Sequence, residues 1–401
     1  MKVLDSKNFS VPGYKTWGIH CGIKKTDKKD LAVIVSDRDA SMAGVFTKNR
    51  VKAASVVMGI SKVKTGKGRI IVANSGCANA CTGKQGFLDA RETAELAAKE
   101  FGTKPEAVYV ASTGVIGETL PLPKIRTGIA TAAGLLAPTG WGQAAEAIMT
   151  TDIFPKIAVV QEEIGGKTIT LAGITKGSGM IHPNMATMLC FIVTDAFVAA
   201  PMLRKMLTAS VDRSFNRITV DGDTSTNDMV LFMANGAAGN KRVAPGSKDL
   251  KKLQACLDAV TRSLALQIVK DGEGATKFVE ITVRGAKDPV EARRAVSAVA
   301  KSSLVKTALF GEDANWGRIM AVLGSCGVDM DEVRTDISFG RTKLVEKGVA
   351  MGKHAEKEAA AALKQREIHI GIDLHKGKGE STIWTCDLST EYVKINAAYR
   401  S

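Results

Sequence analysis

The run TMLCFIVTDA, residues 187–196, constrains the fold of this chain more than any other segment. After Thr187, neither alternate set of residues is polar until Thr194 and Asp195. This pattern predicts a strand buried on both faces of a sheet. The segment before it favours turns, which let the backbone double back, through Gly177, Gly179, Pro183 and Asn184. Thr187 therefore stands at the junction of a flexible loop and a rigid strand.

Strand-like and helix-like periods are mixed along the rest of the chain without strict alternation, a mixture that is compatible with an α/β fold. Short β-branched runs predict strands at 31–36, 54–60, 69–75, 107–112, 156–164 and 167–174. Apolar stripes predict helices at 87–101 and 250–268, the second with Ser247 as its N-cap. Pro201 and Asp288-Pro289 predict two further helix starts. The run EIHIGIDLHKG, from residue 367, predicts a half-buried strand whose histidines face solvent.

Length and charge limit the classes of function. A chain of 401 residues with 45% hydrophobic content can bury a full core in two or three lobes. Its net charge of +14 suits acidic ligands, and a nucleic-acid partner is one alternative. The charge is scattered, however, and aromatic residues make up only 5% of the chain, so stacking platforms for bases are not indicated. We therefore predict no nucleic-acid partner.

Cysteine usage and hydropathy indicate the compartment. The seven cysteines are an odd number and six stand singly, which favours a reducing environment. Cys77 and Cys81 could face each other across a helical turn, but no second pair or nearby histidine completes a metal site, so buried thiols and no metal are predicted. The N-terminus lacks a signal-peptide core, and no stretch approaches the ~18 apolar residues of a membrane span. We predict a soluble, cytoplasmic protein without a membrane partner.

Two other motifs indicate different chemistry. GGKT at 165–168 imitates the end of a phosphate-binding loop, but Gln161 occupies the position of the required first glycine, so a hairpin turn is the better interpretation. RITVDGDTSTND at 217–228 places Asp221 and Asp223 after an apolar run, as in phosphatases with an aspartate nucleophile. Ser225 departs from that motif, and we favour a turn beside an active site.

Thr187 could be a nucleophile only with a base within hydrogen-bond reach. No Ser/His/Asp pattern supplies one, and His182 belongs to no catalytic motif. The remaining base is the α-amine of Thr187 itself, with a reference pKa of ~7.7–8.0. That amine becomes free only if the chain is cut after Ala186, a small residue that would let the hydroxyl reach its carbonyl.

These residues carry a resemblance to a known family. KGSGMIHPNMATML, residues 176–189, resembles the self-cleavage segment of ornithine acetyltransferase, also called glutamate N-acetyltransferase, of arginine biosynthesis. Further blocks resemble that family in the same order: NSGCANACTG (74–83), STGVIG (112–117), MTTD (149–152), TVDGDTSTND (219–228), KDGEGATK (270–277), ALFGEDANWGRI (308–319) and YVKINAAYRS (392–401). The blocks span nearly the whole chain.

The resemblance implies a fold and a reaction. It implies a stacked αββα fold of the N-terminal-nucleophile kind, cleaved between Ala186 and Thr187 into an α chain (1–186) and a β chain (187–401) that share one core and pair as α2β2. Thr187 would accept acetyl from N-acetylornithine, release ornithine and pass the acetyl to glutamate by ping-pong transfer. No cofactor is implied. Acetyl-CoA is a co-substrate of some members, and we favour this bifunctional form.

The resemblance also assigns the other site residues. Thr113 and Gly114 would stabilise the oxyanion through a hydroxyl and a backbone N–H. Substrate contacts would come, besides Thr187, from Thr150, Lys176, Glu273, Asn396 and the terminal Ser401, which we expect to be ordered. The lysine suits a carboxylate and the glutamate suits an ammonium group. The alternative function is that of an amidase or aminopeptidase in which water resolves the acyl-enzyme.

Overall fold

A computed structural model describes residues 1–182 and 188–398. The chain divides into two compact units, the first made of Met1–Asn216 and Asp223–Ile268, the second of Arg217–Gly222 and Val269–Ser401. Several residues singled out by the sequence lie outside the described ranges: Pro183, Asn184, Ala186, Thr187 and Ser401. Cleavage of the peptide bond between residues 186 and 187, which would divide the protein into an α chain and a β chain, stays a prediction.

A mixed sheet forms the centre of the first unit. Its nine described strands are β1 (Lys2–Val3), β2 (Tyr14–Ile19), β3 (Leu31–Phe46), β4 (Lys67–Cys77), β5 (Val108–Val115), β6 (Lys156–Ile164), β7 (Lys167–Lys176), β8 (Leu189–Thr194) and β9 (Met229–Ala234). They follow the order β1-β6-β7-β8-β9-β3-β4-β5, with β2 paired to β3. The pairs β8/β9 and β4/β5 are parallel and the others are antiparallel.

Strand β8 behaves as its sequence predicts. All six of its residues are buried. It pairs antiparallel with β7 and parallel with β9, so it lies inside the sheet with a neighbour on each side. Strands from both sides of the segment 183–187 therefore contribute to one sheet.

Helices cover both faces of this sheet. The helices of the first unit are α1 (Ala54–Lys62), α2 (Gly83–Glu100), α3 (Leu122–Leu135), α4 (Trp141–Ala147), α5 (Ala200–Arg213) and α6 (Lys248–Lys270), whose last two residues belong to the second unit. Successive residues of a strand point to opposite faces. Accordingly Ile71 and Tyr109 pack in one cluster with residues of α4, whereas Ile70 and Val108 pack in another with residues of α2 and α3.

The second unit contains a smaller sheet. Its strands are β10 (Phe278–Ala286), β11 (Asp336–Phe339), β12 (Thr342–Glu346), β13 (Val349–Ala350), β14 (Glu367–Asp373) and β15 (Gly379–Cys386), in the order β13-β12-β11-β14-β10-β15. Its helices are α7 (Pro289–Lys301), α8 (Ser303–Phe310), α9 (Trp316–Ser325), α10 (Lys353–Leu363) and α11 (Thr390–Ala397). In the two units together, short 3-10 segments occur at Val63–Thr65, Pro105–Ala107, Phe215–Arg217 and Glu332–Arg334.

The mixed α/β class predicted from the sequence is confirmed, and so are several local features. Gly165 and Gly166 connect β6 to β7 with φ of 59° and 71°, which is a tight hairpin turn and not a phosphate-binding loop. The Ser247 hydroxyl accepts a hydrogen bond from Leu250 N–H at 3.1 Å, as an N-cap does. Asp288 caps α7 by accepting from the N–H groups of Val290 and Glu291.

Other local expectations are wrong. The run at 54–60 forms helix α1, because burial of Val56 and Gly59 follows a helical spacing and Gly59 packs against the ring of Phe46. Cys77 ends strand β4 and is buried, whereas Cys81 lies in the loop that follows and is exposed, so the two thiols do not share a helical turn. Two outcomes follow the expected pattern. Between residues 217 and 228 the chain forms turns with isolated bridges at Ile218 and Thr224, and the exposed side chain of His369 lies on the polar face of β14.

A helix that crosses a membrane needs about 20 consecutive, predominantly apolar residues. Within residues 1–182 and 188–398, no helix combines the length and the apolar character that crossing a bilayer would need.

Candidate active site

The described residues approach the Thr187 junction from both sides. His182 and Met188 border the segment that lies outside the described ranges. Ile181 forms a bridge with Thr224, whose hydroxyl donates to the carbonyl of His182 at 3.1 Å. On the other side, Met188 accepts a hydrogen bond from Met229 N–H at 2.9 Å, in line with the β8/β9 ladder. Both borders of the junction are thus held by backbone contacts.

Thr113 and Gly114 form a tight corner at the end of β5. Gly114 has φ of +133°, and a Cβ at this position would lie 2.3 Å from the carbonyl carbon of Gly76. Only glycine fits so close an approach of two backbones. The β4/β5 pairing becomes irregular here, where Cys77 is opposite both Thr113 and Val115. The corner therefore has a close backbone approach that only glycine permits, as expected of a site that must present donors in one direction.

Lys176 contacts this corner from the end of β7. Its ammonium group donates to the Thr113 hydroxyl at 3.3 Å, and only 8% of the residue is exposed. Because Oγ1 of Thr113 accepts this bond, the hydroxyl hydrogen can be donated elsewhere. The structure thus brings together two residues that the sequence assigned to different roles.

Asp152 organises the backbone around Thr150 and Lys176. One carboxylate oxygen accepts from Gly177 N–H at 2.7 Å and from the Lys156 ammonium at 2.6 Å. The other accepts from Thr150 N–H at 2.9 Å. The side chains of Asp152 and Lys156 are both fully buried. Thr150 is therefore linked to the loop after Lys176 through a single carboxylate.

The charge of Asp152 is stabilised by its neighbours. Burial by itself raises the pKa of this carboxyl, but the ammonium charges of Lys176 and Lys156 and the hydrogen bonds to it hold the pKa well below its usual range. Sequence analysis missed the role of Asp152 and Lys156. The available signals were the position of Asp152 as the last residue of the MTTD block and a lysine four residues later, but neither indicates that both charges are buried.

A second lysine lies beside the same turn. Lys24 donates to the carbonyl oxygens of Met149 and Lys29 at 2.8 and 2.7 Å, and its stem packs over Gly76. Burial lowers the pKa of Lys24 to about 8; nearby Asp30 opposes this shift and Lys176 adds to it. This part of the first unit therefore concentrates positive charge and favours an anionic ligand.

The remaining predicted contacts lie in the second unit. Asn396, on α11, donates to the Glu273 carboxylate at 2.8 Å, and Glu273 is only 7% exposed. Gly274 has φ of +67° and leaves no space for a side chain, since a Cβ would lie 2.6 Å from Tyr392 N. The Ser389 hydroxyl donates to the Gly274 carbonyl at 2.6 Å. These contacts hold the Glu273 carboxylate beside the last turn of α11 and the Gly274 backbone beside the start of that helix.

Comparison with known proteins identifies the family. The sequence model of the ArgJ family matches residues 15–401. The arginine biosynthesis bifunctional protein ArgJ of Symbiobacterium thermophilum is 52% identical over 374 residues, which cover 93% of this chain and 93% of that protein. Its counterpart from Geobacter sulfurreducens is 49% identical over 392 residues, 98% of this chain and 100% of that protein.

A solved structure is also similar. The crystal structure of the arginine biosynthesis bifunctional protein ArgJ from Bacillus halodurans is 42% identical with a TM-score of 0.50 and covers 52% of this chain and 98% of that chain. With a family model matched over nearly the whole sequence and relatives of about half identity along it, the chain belongs to the ArgJ family.

Proposed function

We propose that this chain is a bifunctional acetyltransferase of arginine biosynthesis that moves acetyl from N-acetylornithine to glutamate. The observation that carries the proposal is the 52% identity to an arginine biosynthesis bifunctional protein over 93% of both chains. The cluster of the partly buried Thr113 with the buried Lys176 and Asp152 supports it, because acyl transfer needs donors that are fixed in place and shielded from water.

The nucleophile in this proposal is made by self-cleavage. The Thr187 hydroxyl attacks the carbonyl of Ala186, and the C–N bond breaks as the ester forms, which frees the α-amine of Thr187. Water then hydrolyses the ester, which releases the Ala186 carboxylate and restores the Thr187 hydroxyl. That amine then takes the hydroxyl proton when Thr187 attacks the acetyl group. The two products would stay associated, because β7 and β8, from opposite sides of the cut, pair in one sheet.

Thr113 and Gly114 would stabilise the negative charge in both half-reactions. Each half-reaction passes through a tetrahedral oxyanion, and removal of one donor commonly costs ~2.7–4 kcal/mol. The hydroxyl of Thr113 can donate to the oxyanion because its oxygen already accepts from Lys176. Gly114 would supply its backbone N–H, from a conformation that its missing side chain permits.

Charge complementarity supports the substrate contacts. N-acetylornithine carries a carboxylate and an ammonium group, and glutamate carries two carboxylates. Lys176, beside Thr150, would bind a carboxylate, whereas Glu273, held by Asn396, would bind the ammonium group. Ser401 completes the proposed contacts. Acetyl-CoA as a second acetyl donor and the α2β2 assembly remain predictions from the resemblance. Independence of any metal or cofactor and the cytoplasmic location remain predictions from the sequence.

The test begins with the mass of the denatured protein and N-terminal sequencing. The wild type should yield two chains, the second beginning at Thr187, and Thr187→Ala should yield one. N-acetylornithine should then release a burst of ornithine equal to the number of sites, and glutamate should remove the acetyl group as N-acetylglutamate. An intact chain that still moves acetyl would exclude this mechanism. Accumulation of free acetate in the presence of glutamate would instead indicate an amidase.

A further inference from the structure

The Asn227 side chain joins two segments that meet at the Thr113–Gly114 corner. Its amide nitrogen donates to the carbonyl oxygen of Ser112 at 2.7 Å and to that of Ala78 at 2.6 Å. Asn227 is only 5% exposed. One buried amide therefore satisfies two carbonyl groups that lie on different parts of the chain.

Those two carbonyls flank the proposed oxyanion donors. Ser112 directly precedes Thr113 on β5. Ala78 lies in the loop that follows β4, and its N–H donates to the carbonyl of Val115 at 2.9 Å, just beyond Gly114. Asn227 thus contacts the residue that precedes the donor pair on β5, Ser112, and the loop residue that lies beside the pair, Ala78.

The amide is itself held in one orientation. Its oxygen accepts from the Thr226 hydroxyl at 2.6 Å, and the Asn227 N–H donates to the Ser225 hydroxyl at 3.1 Å. The backbone of Thr226 is in turn fixed by Ala53 N–H at 3.0 Å. Because two carbonyls require donors and a hydroxyl can donate to the remaining atom, the nitrogen must face Ser112 and Ala78.

We propose that Asn227 is a positioning residue that holds Thr113 and Gly114 in the geometry of an oxyanion hole. It acts through Ser112 and Ala78 and does not touch the substrate. The inference rests on the proposed function, since it assumes that Thr113 and Gly114 donate to the oxyanion. Such donors are effective only when they are preorganised, and a displacement of about 1 Å can cost roughly a hundredfold in rate. An amide suits this position because a single nitrogen supplies two donors.

The experiment compares Asn227→Ala and Asn227→Ser with a matched control, Asn235→Ala. Asn235 belongs to the same unit, is 7% exposed and also bridges backbone groups, donating to the Pro12 carbonyl at 3.1 Å and accepting from Ala237 N–H at 3.0 Å. For each purified protein, the burst of ornithine counts the competent sites. The turnover number is then expressed per competent site, with N-acetylornithine and glutamate as substrates, and the melting temperature is recorded.

We expect Asn227→Ala to lower kcat per competent site by roughly ten- to a hundredfold with little change in KM. Asn227→Ser keeps one donor and should fall between Asn227→Ala and the wild type. Asn235→Ala should keep the wild-type kcat per site even where its melting temperature falls. If Asn227 had only a structural role, its substitution would lower the melting temperature without lowering kcat per competent site.

Three outcomes would overturn the inference. They are a wild-type kcat per site in Asn227→Ala, a loss that lies in KM, and a failure of both Asn227 variants to cleave themselves, which would place the role of Asn227 before catalysis. The proposed function fails differently. If the wild type neither cleaves itself nor releases a burst of ornithine, then the oxyanion pair has no acetyl transfer to support.

Discussion

Gly114 and Gly76 approach each other so closely that a Cβ on Gly114 would lie 2.3 Å from the Gly76 carbonyl carbon. The contact joins the ends of β4 and β5 at the position where β5 carries Thr113. Two features thus exclude a side chain at Gly114: the contact itself and φ of +133°. The proposed oxyanion corner depends on the absence of one atom.

Gly114→Ala should both destabilise the protein and abolish acetyl transfer. The added methyl group must displace backbone and cannot be accommodated by a rotamer change, so we expect a loss of at least ~2 kcal/mol in the free energy of unfolding. The control is Gly134→Ala in α3, where no atom lies within 4 Å of the added Cβ. It should change stability by less than ~1 kcal/mol, in the stabilising direction. Chemical unfolding and an acetyl-transfer assay measure both effects; equal stability of the two variants would contradict the prediction.

Asp152→Asn should destabilise the first unit strongly. The substitution removes the carboxylate charge that faces the buried Lys156 ammonium, and breaking a buried ion pair typically costs ~3–5 kcal/mol. Glu92→Gln provides the contrast, because the Glu92–Arg126 pair is exposed and should contribute ~1 kcal/mol or less. Urea unfolding of both variants distinguishes them. A loss for Asp152→Asn no greater than for Glu92→Gln would show that the buried pair is not needed.

Asp195 should make stability fall with rising pH in the acidic range. Burial raises the pKa of this carboxyl to about 6, although Thr170 N–H donates to it at 2.8 Å. The folded protein therefore keeps a proton that the unfolded chain releases near pH ~4. Since the folded state binds more protons in this window, the free energy of unfolding declines from pH ~4 to ~6, by up to ~3 kcal/mol, and this contribution is constant above it.

Asp195→Asn should remove that part of the pH dependence. Unfolding measured at several pH values between ~4 and ~7, for the wild type and for the variant, gives the difference directly. The difference isolates Asp195 from Asp228, a second carboxyl whose pKa is raised by burial. The exposed substitution Asp39→Asn serves as a control. Parallel curves for the wild type and Asp195→Asn would refute the assignment.

Glu273→Gln should weaken binding of N-acetylornithine more than that of glutamate. Glutamine can still accept the hydrogen bond from Asn396, so the change removes mainly the negative charge. A hydrogen bond to a charged group contributes ~1.5–3 kcal/mol, which predicts a rise in the KM for N-acetylornithine of roughly ten- to a hundredfold. The exposed Glu367→Gln, which removes a surface ion pair with Lys270, should leave both KM values unchanged. A KM for N-acetylornithine that does not rise in Glu273→Gln would exclude the proposed ammonium contact.

Local sequence patterns predicted a structural feature correctly where that feature depends on residues close together in the chain. The apolar run after Thr187 forms a fully buried strand, Asp288 caps its helix, and Gly165–Gly166 make a hairpin turn. The prediction of a strand at 54–60 failed because a short apolar run does not by itself distinguish a strand from a buried helix, and here the run forms α1. The proposed site residues were found through the motifs that resemble the family. Of these residues, Thr187, Ala186 and Ser401 lie outside the described ranges.

The sequence by itself determined the α/β class, the family and the residues proposed to act on the acetyl group. Only the tertiary structure decided which groups hold those residues in place. Asn227 bonds to carbonyls 115 and 149 residues away, and Lys176 bonds to a hydroxyl 63 residues away. The spacing of residues along the sequence does not predict such partners, because a buried polar group forms its hydrogen bonds with whichever segment the fold brings close to it.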